Sequence, residues 1–120
     1  MIKNMLLVGL GGFIGTIIRF LSYQITKPNH PFLITLAINI LGSLLIGIIF
    51  GLSLKNVNFN NNWKAFLATG VCGGFTTFSA FSIENIQLVQ EGKLSLSLLY
   101  IIASLTLGIG AAFIGFKIAG

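Results

Sequence analysis

Four apolar runs, each long enough to cross a lipid bilayer, fill most of this 120-residue chain. They cover about residues 5–24, 31–54, 65–83 and 94–116, and short polar punctuation separates them. Crossing hydrocarbon as an α-helix takes about 20 residues. Unpaired backbone in lipid costs several kcal/mol per group, so all four are expected to be helices. The polar breaks are Lys27, Pro28, Asn29 and His30, then Lys55 with the asparagine-rich segment 56–62, then Glu84 to Lys93. Four such spans take up about two-thirds of the chain, which leaves no room for a separate soluble domain. The expected architecture is an all-α integral membrane protein with four transmembrane helices in a single domain.

Composition agrees. Hydrophobic residues make up 55% of the chain and charged residues 8%, and mean hydropathy is +0.98. Soluble domains carry about 25% charged residues, so this chain cannot coat a globular surface in water. The net charge of +5 is not a nucleic-acid signature, because the cations are isolated and form no basic stripe. Spaced lysines between apolar runs read as headgroup anchors, as do Trp63 and Lys64. The single cysteine, Cys72, excludes an internal disulfide and a multi-cysteine metal site. No cleavable signal is expected at the N-terminus, since apolar segments continue to the end of the chain.

Glycines recur at helix-packing intervals: Gly11, Gly12 and Gly15; Gly47 and Gly51; Gly108, Gly110 and Gly115. Small residues three or four apart let helix backbones approach closely. Orientation is weakly encoded. One side carries Lys3, Lys55, Lys64 and Lys117, and the other Lys27 and Lys93, with Arg19 if it snorkels that way.

The third run holds the most chemistry. Its Gly73-Gly74-Phe75-Thr76-Thr77-Phe78-Ser79-Ala80-Phe81-Ser82 segment is a poor helix interior, since glycine and β-branched residues both weaken a helix. A break is therefore expected near the middle of this span. At membrane depth such a break survives only where protein buries it or a cavity adjoins it, and its freed carbonyls suit a hard cation such as Na⁺. Phe75, Phe78 and Phe81 follow at spacing three, interleaved with Thr76, Thr77, Ser79 and Ser82. Ring edges carry partial positive charge and hydroxyls donate hydrogen bonds. Together they can replace the water of a small anion without a fixed cation to trap it.

Asn39 and Ser43 are four apart on the second span, and Tyr100 and Ser104 on the fourth, so each pair shares a helix face. Arg19 is the only guanidinium. It is open to three roles: an interfacial anchor, an attractor of anions at a vestibule, or a partner for Glu84, which is expected at the end of the third span.

These residues carry a resemblance. Gly11-Gly12-Phe13-Ile14-Gly15-Thr16-Ile17-Ile18-Arg19, Thr35-Leu36-Ala37-Ile38-Asn39-Ile40-Leu41-Gly42, the Gly73 to Phe81 segment, and Tyr100 with Ser104 resemble, in order, the four helices of the Fluc (CrcB) family of fluoride channels. The resemblance spans essentially the whole chain, and the third-helix run is its most specific part. It implies a passive, fluoride-selective channel of the plasma membrane that exports toxic fluoride and works as an antiparallel, dual-topology homodimer with two pores. It further implies that Phe78 and Phe81 are pore phenylalanines and that Asn39 lines the path with Ser79, Tyr100 and Ser104. Gly73 and Thr76 would offer backbone carbonyls to a central structural Na⁺, and Arg19 and Glu84 would lie near a pore entrance. Ala80 departs from a common threonine, Gly108 from a common hydroxyl and Phe20 from a common tyrosine.

Two other classes remain as rivals. A small four-helix multidrug exporter requires a carboxylate on the first span, and there is none. A non-transporting membrane assembly subunit would leave the broken helix and mid-membrane hydroxyls without a purpose beyond packing. No pairing of a nucleophile with a base suggests an enzyme.

Overall fold

The computed structural model describes residues 1–26, 29–55 and 61–120. The polar breaks expected at Lys27–Pro28 and at 56–60 lie outside the described residues. Two long helices come first, α1 (Ile2–Thr26) and α2 (Pro31–Lys55). The third span is composite. A single turn, α3 (Asn61–Lys64), runs into a π-helical stretch, Ala65–Cys72, then a short α4 (Gly73–Phe75) and, after a break, α5 (Phe78–Gln90). The fourth span is α6 (Leu94–Ala119). All four spans are long and apolar enough to cross a membrane, so the protein is a multi-pass membrane protein.

Pro31 opens α2, where its missing N–H costs nothing. Between α5 and α6 the turn is fixed by Gly92 at φ 79°, a conformation glycine adopts without penalty. Gly92 N donates to Val89 O (3.0 Å) and Lys93 N to Leu88 O (2.8 Å). That is the paired bonding of a Schellman motif, which ends one helix and turns the chain straight into the next.

The packing is inside-out relative to a water-soluble bundle. Large apolar side chains face outward on every long helix, such as Leu6, Phe13, Leu41, Leu105 and Ile109, while Thr35 is completely buried and Glu84 and Ser97 nearly so. Lipid is the only solvent in which that distribution is favourable.

Helix pairing alternates along the chain: α1 packs chiefly on the first half of the third span, and α2 on α6. Glycine makes both seams. A Cβ on Gly15 would collide with Val71 O and lie 2.8 Å from Phe75 N, and one on Gly70 would lie 2.9 Å from Gly11 Cα. In the other seam, Gly47 meets Ala112 O and Gly115 meets Leu44 O. Gly15→Ala should therefore push α1 off its partner, because backbone cannot rotate away. A loss of about 1–3 kcal/mol is expected, read as a lower thermal midpoint in detergent. Gly110→Ala, where nothing lies within 4 Å, should leave the midpoint unchanged or raise it.

The third span differs from expectation in three respects. Its break falls on Thr76 (φ −81°, ψ 156°) and Thr77 (φ −150°, ψ 125°), just after the glycine pair, which stays helical. β-branched threonine tolerates extended backbone well. The π-helical stretch was not foreseen. The helix also continues to Gln90, so Glu84 lies inside the span and not at its end.

Candidate functional site

The break is closed by a side chain from another helix. Asn39, on α2, accepts from Thr77 N through Oδ1 (2.9 Å) and donates from Nδ2 to Thr77 O (3.1 Å). Its amide thus pairs with both backbone groups of one extended residue, as a neighbouring strand would. Thr77 also starts α5: its Oγ1 accepts from Ala80 N at 3.2 Å, the ordinary N-cap bond.

These diversions decide which carbonyls are released. In an unbroken α-helix, Thr77 N–H would bond Gly73 O and Ala80 N–H would bond Thr76 O. Asn39 takes the first donor and Thr77 Oγ1 the second. Gly73 and Thr76 therefore lose their helical donors, and both line a cleft of about 320 Å³ with Asn39, Ser43, Thr77 and Phe78. The neighbouring Gly74 O accepts from Arg19 Nε at 3.2 Å. Arg19 is thus tied to the break, and its hydrogen bond there replaces the pairing with Glu84 considered from sequence.

From the break an aromatic ladder runs toward the far end of the bundle. Phe78 and Phe81 have ring centroids 5.6 Å apart, Phe81 and Tyr100 4.9 Å in an edge-on arrangement, Tyr100 and Phe32 5.3 Å, and Phe32 and His30 5.8 Å. Phe78 is 77% exposed, whereas Phe75, the first of the three phenylalanines, is buried. Ser79 is exposed and shares a hydrogen bond with Thr77 Oγ1 (3.1 Å). Ser104 lies one turn beyond Tyr100, its Oγ buried without a hydrogen-bond partner. An orphaned buried hydroxyl is costly, and one facing an anion path would be a donor in waiting.

Glu84 occupies the centre of a network that joins all four spans. Its Oε1 accepts from Tyr100 OH (2.8 Å) and its Oε2 from Thr35 Oγ1 (2.7 Å), while Tyr23 OH bonds Thr35 Oγ1. Thr35 has one hydroxyl proton and it points to Glu84, so Tyr23 is the donor in that pair. Glu84 is 8% exposed, although Glu84, with His30 and Glu91, also borders a smaller cleft of about 150 Å³. Beside it, buried Ser97 Oγ donates to Asn85 Oδ1 (2.8 Å), and Asn85 Nδ2 donates to Phe81 O (2.8 Å). This strut fixes Phe81 against α6. Glu91 and Lys93 form an exposed pair at 3.4 Å, worth little in solvent.

Asn39, Phe78, Phe81 and Tyr100 thus lie along the break and its ladder, with Gly73 and Thr76 on the adjoining cleft and Ser104 one turn from Tyr100 on α6. Sequence reasoning missed Tyr23, Phe32, Thr35, Asn85 and Ser97. A periodic signal existed for two of these: Thr35, Asn39 and Ser43 recur every four residues, and Ser97, Tyr100 and Ser104 every three or four, each set forming one helix face.

The family model described as "CrcB-like protein, Camphor Resistance (CrcB)" matches residues 6–116. The chain belongs to the CrcB family. The CrcB chain is 45% identical over 120 residues to a fluoride-specific ion channel FluC of Azobacteroides pseudotrichonymphae, covering 97% of this chain and 95% of that one. It is 46% identical over 116 residues to the FluC of Agrobacterium fabrum (93% and 92% covered), and 41% over 121 residues to that of Campylobacter jejuni (98% of each). The matched region of this CrcB chain holds the break, the ladder and the Glu84 network.

Proposed function

We propose that this chain is a passive, fluoride-selective channel, not an enzyme, and that it lets toxic fluoride leave the cell through the plasma membrane. The observation that carries the reading is the aromatic ladder starting at the Asn39-clasped break. Ring edges and a spare buried hydroxyl there offer weak donors to a small anion in a low-dielectric setting. Fluoride holds water tightly, so its path must supply substitute donors and still release the ion. The ring edges of Phe78 and Phe81 and the Ser104 hydroxyl are donors of that strength, while a lysine on the path would trap it.

The exporter reading weakens further. The membrane does contain one carboxylate, Glu84, but it sits on the third span with Tyr100 and Thr35 holding its two oxygens, and the cleft it borders measures only about 150 Å³. Purified protein in liposomes should release fluoride with no proton gradient imposed and release chloride far more slowly. Efflux that requires a proton gradient would favour an exporter, and no efflux at all an assembly subunit.

The working unit is an antiparallel homodimer, each copy one four-span domain. Support comes from the exposure of Phe78 and Gly73 and from a cleft that lacks an outer wall. The cation bias between the two sides adds to it: Lys3, Lys55, Lys64 and Lys117 against Lys27, Lys93 and Arg19 is weak and sets no strong orientation. Crosslinks between the same end of both copies would refute antiparallel assembly. The donors also fit a structural Na⁺ at the dimer centre: Gly73 and Thr76 present neutral carbonyls, the oxygen ligands a hard monovalent cation takes. Bound there, the ion would supply positive charge and lock the two breaks together. Thr76→Ser should keep the site, since the ligand is backbone. A high-resolution map of the dimer with only water between the breaks would remove the assignment.

A further inference from the structure

At the end of the bundle remote from Glu84, a cleft of about 320 Å³ lies between the starts of α1 and α3, lined by Lys3, Leu7, Asn62, Trp63 and Phe66. We propose that it binds a phospholipid with an anionic headgroup.

Three observations support this. First, the cleft is chemically layered. Lys3 and Asn62 offer an ammonium and an amide, while Leu7 and Phe66 supply an apolar wall. Trp63 packs edge-on against Phe66 with centroids 6.4 Å apart and stays half exposed, as an indole at the headgroup level does. A phosphodiester above an acyl chain has the matching layers.

Second, the cation is available. Lys64 lies over the Phe50 ring at 5.9 Å and Lys117 over Phe113 at 5.4 Å. Lys3 has neither an ion pair nor a ring contact among the described residues, and Asn62 has no hydrogen bond there.

Third, the side-chain charge at this end is of one sign. In a four-span topology Lys3, Lys55, Lys64 and Lys117 share this side, and both carboxylates of the chain, Glu84 and Glu91, belong to the opposite half. A zwitterionic headgroup would find no acidic side chain among the residues lining the cleft to neutralise its choline. An anionic one meets Lys3 in the cleft lining, and juxtamembrane lysines attract such lipids.

The test reads lipid retention and is independent of flux. Intact protein extracted from vesicles of equal phosphatidylglycerol and phosphatidylcholine is analysed by native mass spectrometry. Phosphatidylglycerol should be retained preferentially, and the Lys3→Gln/Asn62→Ala double variant should retain at least roughly fivefold less, the factor one lysine gives near an anionic headgroup. The variant's fluoride efflux should match the parent's, which shows that it is folded. Millimolar inorganic phosphate should leave the adduct in place. Equal retention of both lipids by the parent, undiminished phosphatidylglycerol on the variant, or displacement by free phosphate would each overturn the proposal.

Discussion

Phe81→Ile should reduce fluoride efflux from liposomes at least tenfold while leaving dimer assembly intact, and Phe78→Ile should act in the same direction. Isoleucine keeps much of the apolar bulk but has no ring edge, so the partial positive charge that an anion would meet is lost. Phe81 is held edge-on to Tyr100 at 4.9 Å and 5.6 Å from Phe78, so one substitution interrupts the ladder on both sides. A loss of about 1.5–3 kcal/mol at the barrier corresponds to a roughly ten- to hundredfold slower flux. Phe50 is the control: it packs on Phe116 and under Lys64, away from the break, and Phe50→Ile should conduct like the parent. Parental flux in the folded Phe81 variant would reduce the ladder to packing.

The second large effect is expected from Asn39→Asp. The parent amide gives one donor and one acceptor to Thr77. An ionised carboxylate keeps the acceptor, loses the donor, and leaves Thr77 O opposite a second oxygen in a half-buried site. An unsatisfied buried carbonyl costs about 1–3 kcal/mol, and a negative charge beside the path adds repulsion of anions. Flux should fall by about one to two orders of magnitude on this account. The thermal midpoint should fall as well, and that separates this variant from Phe81→Ile, for which only transport should suffer. Unchanged flux at high pH, where the new acid is ionised, would take Asn39 off the path.

The four spans were legible in the sequence because lipid imposes length and apolarity with little ambiguity. The break was legible to within a few residues, since Gly73-Gly74 and Thr76-Thr77 are all weak helix formers. Its true seat on the threonines depends on Asn39, 38 residues away, and no local propensity contains that information. Glu84 was misplaced for a related reason. A carboxylate reads as the end of an apolar run, and only Thr35 and Tyr100, brought from other spans, make its burial affordable. Arg19 likewise found its acceptor, Gly74 O, across the bundle. The ring partners Phe32 and Tyr100 come from separate helices, so their stacking has no sequence signature.

The alternating helix pairing has a consequence for biosynthesis. When α2 enters the bilayer, the partner for its glycine seam, α6, has not yet been translated, and α1 waits in the same way for the third span. Adjacent spans pack less closely than these pairs, although Asn39 and Thr35 of α2 already reach the third span, and α6 comes last. Until that last helix arrives, Gly47 and Gly51 present bare backbone to lipid. The two seams therefore close in order, the α1 seam once the third span is in the bilayer and the α2 seam only when α6 follows. A ribosome stalled before Leu94 would hold a chain whose second helix has an open glycine seam and which stays exposed to membrane quality control.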